Sequence, residues 1–564
     1  MSTPEAGSDR SERAQIASAS AVMALGTTFS RLSGFLRSVL LAAALGNLLH
    51  ADLFNIANTI PTMLYILLAG GVFNAVLVPQ LVRTMKHDED GGTAYANRIV
   101  TFAILFLGTV TVLLVVAAPW VMRIFLGPEY YEPEMAAQRN SVIDFARYCL
   151  PQVFFYGMFV LVGQILNARG RFGPMMWAPI ANNAIAVIVL VTYLVVYGTA
   201  EGAALCAGFT AGQERLLGLG STIGIVAQFA ILIPYLRSAG FAFKPRFDFR
   251  HVGLGHTFKL GVWAVLFVIV NQIAYTVIVR LASTGTAVGC ESDPGTGYTV
   301  YAYTFLLVMV PHSIITVSLA TAVLPALSRY AANGDRAGVA RTLASTLRTA
   351  LVVIVPFALL LIVIAPRLAE IVWGWNGEAS ETVALYVPSL TLFCVGLIFF
   401  TVHYLVLRGF YALELNRTVF AIQCAVAATN ILAATILVAR TGREQTAPAL
   451  VLAYAASYAV GAVLSYVVLR RELGGLETGR LLRFLVRVIS AAAVSAAVGQ
   501  LTLVVLQRWA DGSRIEPHFV QQLASVGTVG VIGLVAVGVF LLVARLLRIS
   551  EVSDLLAATM NRNR

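Results

Sequence analysis

Runs of about twenty apolar residues recur along almost the whole chain with only short polar stretches between them, and this recurrence limits the fold more than any motif does. A bilayer's hydrocarbon core is crossed by roughly 20 residues of helix, so each run is long enough to span. The runs cover 17–45, 53–82, 99–126, 142–167, 176–198, 217–236, 255–282, 299–326, 346–373, 383–407, 417–439, 447–469, 482–507 and 521–546. With 59% hydrophobic and 12% charged residues among 564, the chain carries more apolar surface than one globular core can bury. The expected fold is an all-α polytopic membrane protein of about fourteen transmembrane helices. The opening stretch, residues 1–16, is polar and of mixed charge, and no cleavable apolar segment precedes the first run. It reads as a disordered cytoplasmic tail, and 548–564 as a second one.

A net charge of +11 raises the question of nucleic acid, and its distribution answers with topology. Stretches after even-numbered runs hold Arg83 and Lys86; Arg169 and Arg171; Arg237, Lys244, Arg246 and Arg250; Arg329, Arg336 and Arg341; Arg408 and Arg417; Arg470, Arg471 and Arg480. Stretches after odd-numbered runs are poorer in cations, and one carries Glu129, Glu132 and Glu134. By the positive-inside rule both termini face the cytoplasm, and no nucleic-acid partner is called for.

The second and eighth runs resemble each other. One reads from Pro61 to Leu77-Val78-Pro79, the other from Pro311 to Val323-Leu324-Pro325, with Pro-to-Pro spacings of 18 and 14 that differ by about one helical turn. A repeat starting at the first and seventh runs in the same orientation predicts two pseudo-symmetric six-helix lobes related by an axis along the membrane normal. The lobes fall at 17–236 and 259–470, with a cytoplasmic linker at 237–258 and two further helices in 481–547. Pro61 and Pro311 interrupt apolar helices, which points to a cavity lining or to a simple packing kink.

Soluble-enzyme signatures are missing from the sequence: there is no Walker A sequence, no HExxH and no paired-cysteine metal site. The stretch from Gly218 to Gly224 is glycine-rich, but its place in an apolar run favours helix packing over phosphate binding. The informative anomaly is Ser30-Arg31-Leu32-Ser33-Gly34-Phe35-Leu36-Arg37. An arginine in hydrocarbon costs at least ~2.5 kcal/mol, so Arg31 and Arg37 should face a cavity or a partner, the alternative being that they snorkel to an interface. Six residues apart, they lie about 120° around an ideal helix and can border one wide cavity. Guanidinium is also the side chain suited to gripping phosphate with two hydrogen bonds. Asp52 opens the second run as a helix cap, a counter-ion, or a proton or cation carrier. Asn55, Pro61, Asn271, Arg280 and His312 are further candidate cavity residues, with snorkelling the alternative for Arg280 and helix packing the alternative for His312 and for His403. Cys206 and Cys290 fall in extracytoplasmic loops, where a disulfide or two thiols are both compatible with the location. A bond between them would join loops of different lobes and restrict outward opening.

These residues carry a resemblance. Ser30-Arg31 with Gly34-Phe35 and Arg37, Ala51-Asp52 with Phe54, Pro61, Phe73 through Val78-Pro79, Leu166-Asn167 with Arg171-Phe172 and Ala178-Pro179, and Gly409-Phe410-Tyr411 together resemble the MurJ/MviN family of lipid II flippases, within the superfamily of multidrug and oligosaccharidyl-lipid exporters. The resemblance extends over nearly all the runs. It implies export of an undecaprenyl-pyrophosphate-linked disaccharide-pentapeptide by alternating access, as a transporter and not an enzyme, with Arg31, Arg37 and Asp52 at cavity positions and the last two helices forming a groove for the lipid tail. It also implies that membrane lipids are partners, with cell-wall synthesis proteins as candidate ones. The chain departs from the family at Tyr65-Ile66 and Gly70, where members often carry Arg and Glu, and near Leu306, where an Arg is common. The implied cavity is therefore less cationic. No cofactor is implied; membrane potential, a Na⁺ gradient and an H⁺ gradient all stay open as the driving force. Another polyprenyl-linked glycan, a drug, or a scaffolding role without transport are the competing readings of function.

Overall fold

Hydrocarbon gives a peptide group nothing to bond, so a chain that crosses it must satisfy its backbone internally. The computed structural model describes residues 26, 29–30, 32–68, 92–171, 173–200, 202–249, 254–287, 295–374, 383–510 and 518–561, and among them there are helices and turns but no strand. Twelve helices among the described residues are long and apolar enough to cross a membrane. They fall on the third to fourteenth sequence runs. The first two runs extend into residues outside this set, and what is described of them is α1 (Leu32–Leu45) and α2 (Leu49–Ile66). The chain divides into two compact units, residues 1–283 with 287–292, and residues 284–286 with 293–564. This division follows packing, whereas the lobes at 17–236 and 259–470 follow the repeat.

In the first unit α1 and α2 are joined through Gly46, whose φ of +70° suits glycine and whose missing side chain leaves room for Leu205. There follow α3 (Thr93–Val116), α4 (Ala118–Phe125), α5 (Ala136–Cys149), α6 (Gln152–Ala168), α7 (Gly173–Tyr197), α8 (Ala211–Ala230), α9 (Leu232–Ser238) and α10 (Leu254–Thr286). A capping box between Thr210 and Gln213 starts α8. The core packs α3 against α6 through Ile99, Leu107, Phe159, Ile165 and Leu166. Beyond α9 the chain runs extended back to α3, where Phe241 is buried, Asn97 Oδ1 accepts from the Lys244 amide at 2.8 Å and Thr101 Oγ1 from the Arg246 amide at 3.0 Å. Arg98 donates to Asp248 at 2.6 Å, and that bond holds the Asp248 carboxyl below the usual carboxylate range.

The glycine-rich stretch of α8 serves helix packing, as its place in an apolar run suggested. A Cβ on Gly218 would meet Tyr148, one on Gly220 would lie 2.6 Å from Val189, and one on Gly224 would strike Asn182. α7 and α8 therefore approach more closely than larger residues permit.

The second unit comprises α11 (Tyr298–Pro311), a π-helical turn (His312–Thr316), α12 (Val317–Ala332), α13 (Arg336–Trp373), α14 (Tyr386–Ala412), α15 (Asn416–Val438), α16 (Thr446–Leu473), α17 (Thr478–Ala510), α18 (His518–Leu546) and α19 (Ser550–Asn561). Asp335 caps α13 by accepting from the Gly338 amide at 2.7 Å. α16 lies along both α14 and α15, and α17 and α18 pair through Ser495 Oγ on the Ala536 carbonyl at 2.6 Å. Both rest on α13 through Leu351, Val352, Val355, Phe484, Val488 and Phe540. An apolar cavity of about 260 Å³ remains there, lined by Val352, Pro356, Phe357, Ala536 and Phe540 among others, with Val552 of α19 at its edge. Arg348, only 7% exposed, fastens α19: its Nε donates to Glu551 at 2.8 Å and its Nη1 to Glu477 at 3.2 Å.

Two tests follow from this packing. Gly220→Ala overpacks α7 against α8 at a cost of ~1–3 kcal/mol and should lower the thermal denaturation midpoint of the purified protein. An unchanged midpoint would mean that the two helices part easily. Arg348→Met leaves two carboxylates facing each other at a cost of ~3–5 kcal/mol, so amide exchange in 550–561 should rise at least ~tenfold. Unaltered protection there would show that Val552 alone holds the helix.

Candidate functional site

Arg31 lies outside the described residues, but the backbone on either side of it is fixed. Asn183 of α7 donates to the Ser30 carbonyl and to Ser33 Oγ, both at 2.9 Å, and thus sets the rotation of the first helix at its Ser-Arg-x-Ser signature. A Cβ on Gly34 would sit 3.6 Å from that same amide, in ordinary contact. Arg37, one and a half turns further on, is half-buried and within electrostatic reach of Tyr156 and Cys149. Tyr156 in turn bonds the Thr62 side chain and packs against Tyr65 at 4.8 Å between rings. Arg37 therefore lies within electrostatic reach of a tyrosine that links α2 and α6.

Asp52 is not the cap of α2. That position falls to Leu48, and Asp52 lies in the first turn, wholly buried, its amide bonded to the Leu48 carbonyl at 3.1 Å. A carboxylate there still gains from the partial positive charge at the helix start. Two residues earlier His50 stacks on Phe209 with ring centres 3.5 Å apart and pairs its Nδ1 with the Ala207 carbonyl. Asn55 is half-buried on α2 and makes polar interactions of its own. One helical turn on, Asn58 accepts from Gln152 at 3.0 Å and so ties α2 to α6. Pro61 sits inside α2, which passes into a π-type turn at residues 67–68. The family-departing Tyr65 thus fills its place with a ring contact instead of a charge.

On α10, Asn271 bonds back to the Phe267 carbonyl at 3.1 Å, and its neighbour Gln272 bonds the carbonyl of Met63 on α2. Arg280 donates to the Arg123 and Ile124 carbonyls at 2.7 and 3.2 Å, covering the C-terminal end of α4. Its Nη1 is committed to backbone that the end of a helix leaves unpaired. Cys206 closes a short 3-10 turn and its carbonyl accepts from Gln138 at 2.9 Å, while Cys290 lies outside the described residues.

In the second unit Pro311 ends α11 and His312 opens the π-helical turn, so the interruption predicted at this proline is a widened turn. His312 is buried among Phe400, 4.6 Å away, and Tyr404, 5.0 Å away, on α14. Arg408 lies over the Tyr404 ring at 4.4 Å and reaches Tyr411 at 5.6 Å. His403, also buried, pairs Nδ1 with Ser465 Oγ at 3.2 Å and stands 5.8 Å from Tyr458. The sequence reading placed Arg408 among cytoplasmic loop cations and overlooked the aromatic residues around it. Their signal was present as Phe400 and Tyr404 in the tenth run and Tyr411 just beyond it. Among the described residues no cluster of His, Cys, Asp or Glu is built to hold a metal ion.

Comparison with known proteins places this arrangement. The solved structure of "Lipid II flippase MurJ, inward closed conformation" superposes with a TM-score of 0.69 at 17% identity, covering 93% of this chain and 98% of that one. An inward-facing multidrug resistance MATE transporter of the MOP superfamily reaches 0.62 at 15% identity, over 80% and 96%. Among relatives in sequence, the probable lipid II flippase MurJ of Haemophilus influenzae is 27% identical over 70% of this chain and 75% of its own length. That of Thermotoga maritima is 24% identical over 94% and 97%. The profile of the family "Lipid II flippase MurJ" matches residues 41–519. The chain belongs to the MurJ family of lipid II flippases.

Proposed function

We propose that this protein carries lipid II, the undecaprenyl-pyrophosphate-linked disaccharide-pentapeptide, from the inner to the outer leaflet of the bacterial cytoplasmic membrane by alternating access. The observation that carries the reading is membership of the family across 41–519, joined to a half-buried Arg37 within electrostatic reach of Tyr156 at the family's signature. No bond need be made or broken: the protein acts as a transporter and not an enzyme. The work is to keep a pyrophosphate solvated while it crosses, and fixed guanidinium groups can replace its water. Arg31 and Arg37 would take the pyrophosphate, with Asp52 balancing their charge. The cavity between α13, α17 and α18 offers a nearly apolar surface, which suits part of a prenyl chain and not a headgroup. The cation pattern supports both termini in the cytoplasm. Surrounding lipids are the immediate partners, and enzymes of wall synthesis would supply and consume the cargo.

Depleting the protein and assaying which leaflet holds lipid II tests this. Lipid II should accumulate on the inner side, and wild type should restore export where Arg31→Ala or Arg37→Ala does not. Each lost charge-assisted contact is worth ~1.5–3 kcal/mol, or about tenfold to a hundredfold in rate. An unchanged distribution would point to another lipid-linked cargo or to a scaffold, and full rescue by both variants would remove the arginines from the pathway.

Pairing of Cys206 with Cys290 is a separate expectation, and would show as a two-dalton rise on reduction of the intact protein, with alkylation of both only afterwards. Alkylation of both without reductant would end the idea.

A further inference from the structure

Three arginines from three elements of the first unit gather around one exposed tyrosine. The Arg123 guanidinium of α4 lies over the Tyr131 ring at 5.8 Å, and that of Arg139, on α5, at 5.6 Å. Arg280 of α10 is within electrostatic reach of the Tyr131 hydroxyl and donates through Nη1 to the Arg123 and Ile124 carbonyls. Like charges brought together repel, so the arrangement is costly unless a group of opposite sign joins it. Glu129, Glu132 and Glu134 occupy the neighbouring turns, and one oxygen of Glu129 is itself buried and unbonded. Among the described residues, however, no carboxylate comes within ion-pair distance of any of the three guanidiniums.

The donors left over suit an anion with several oxygens. Among the described residues the Arg123 side chain makes no hydrogen bond, Arg280 keeps Nε and Nη2 unbonded, and Arg139 commits only Nη1, to the Tyr130 carbonyl at 3.3 Å. Guanidinium offers a planar fork of donors that matches phosphate oxygens, and stacking on a ring leaves that edge open. α4 adds what a free anion would not need. Its Met122 and Phe125 are buried, whereas Trp120 and Ile124, one turn apart and beside Arg123, are 68% and 56% exposed. A helix divided in this way lies at a membrane surface, its apolar side among acyl chains and its cation among headgroups, and Trp and Tyr concentrate at that depth. α4 also follows directly on the spanning helix α3, which ends at Val116. With both termini in the cytoplasm this is the extracytoplasmic end, where cations are disfavoured and three together call for a partner.

We propose that Arg123, Arg139 and Arg280 form a binding site for the phosphate of a lipid headgroup in the outer leaflet, with Trp120 and Ile124 against the acyl chains of the same lipid. A phosphodiester supplies the negative charge that the neighbouring carboxylates do not bring within reach, and its oxygens can accept from more than one guanidinium at once. Soluble phosphate would engage the same donors but gain nothing from Trp120 and Ile124, which is why a lipid is the better fit. Because Arg280 already joins α10 to the end of α4, a lipid held here also ties that junction to α5 through Arg139. The site is independent of the transported cargo and requires only that the chain lie in a membrane.

Fluorescence of Trp120, isolated as the difference between the full chain and its Trp120→Phe variant, reads occupancy when lipid with brominated acyl chains is titrated into the detergent-purified protein. Brominated phosphatidylglycerol should quench it saturably, and the double variant Arg123→Gln/Arg139→Gln should need at least ~tenfold more lipid, two charge-assisted contacts having been lost. Brominated diacylglycerol, with the same chains and no phosphate, should act on wild type as phosphatidylglycerol acts on the double variant. Equal midpoints for wild type and double variant, or for the two lipids, would overturn the proposal. Inorganic phosphate that competes as well as unbrominated phosphatidylglycerol would overturn the lipid assignment in favour of a free anion. Arg123→Lys/Arg139→Lys keeps both charges and should recover part of the affinity; a loss as large as that of the Gln pair would mean that packing on Tyr131, and not charge, had been removed. Transport plays no part in these readings, so failure of the lipid II assignment leaves them intact.

Discussion

Every backbone donor and acceptor at membrane depth has to find its partner within the chain, and the remaining features of this structure are set by where that rule is kept and where it is relaxed. Most of the described residues keep it in long helices, of which α13, at 38 residues, is the longest although Pro356 and Pro366 lie inside it. Among the described residues two prolines are followed by a π-type turn. Pro61 removes a donor from α2, and the helix widens into a π-type turn at 67–68. Pro311 does the same to α11, and the π turn follows at once. The corresponding runs of the sequence repeat are thus altered in the same manner, although the turn begins at a different distance from the proline. A packing kink does not by itself require a π turn in both halves; a helix that must bend during a cycle gains from one.

Arginine shows the second constraint, that a charge at depth needs its surroundings arranged for it. Arg280 gives its Nη1 to the open end of α4, and Arg348 gives its donors to two carboxylates. Arg348 cannot bind an anion without first releasing what it holds. Arg408 lies across tyrosine rings instead, and Arg37 lies within electrostatic reach of a tyrosine bonded to a threonine. A ring face holds a guanidinium without offering it a full counter-charge, unlike the two carboxylates that hold Arg348.

Whatever depends on composition and period was legible in the sequence. Apolar runs gave the helices, and the prolines marked the broken ones, because both signals are local. Asp52 shows the limit: a residue at the start of an apolar run reads as a cap, yet Leu48 holds that position and Asp52 is buried one turn inside. A shift of that size along a helix leaves no trace in hydropathy. Arg280 was legible as a cation near the end of a run but not as the cap of α4, since its partners, Arg123 and Ile124, lie more than 150 residues away. Asn183 was passed over because an asparagine in an apolar run carries no sign of what it bonds. The ring of aromatic side chains around His312 and His403 was missed for the same reason: each is an ordinary apolar residue until two helices bring them together.

The physical division of labour in an amphiphile fits this separation of environments. A lipid-linked sugar never has to take its hydrocarbon chain out of the bilayer, so only the headgroup meets a barrier. A protein that lowers it must offer charge and hydrogen bonds along the headgroup's path and a surface no more polar than lipid to the chain. In the proposed transport the first unit would provide the former near Arg37, Thr62 and Tyr156. The second would provide the latter where Phe357 and Phe540 line a cavity whose one polar side chain among the described residues, Ser495, is already bonded to the Ala536 carbonyl. With that hydroxyl satisfied, the cavity wall gains nothing from a sugar or a phosphate and loses nothing to a methyl branch. In the proposed transport, discrimination between the two ends of the cargo would then follow from desolvation: moving the headgroup into the apolar cavity would cost more than the placement returns.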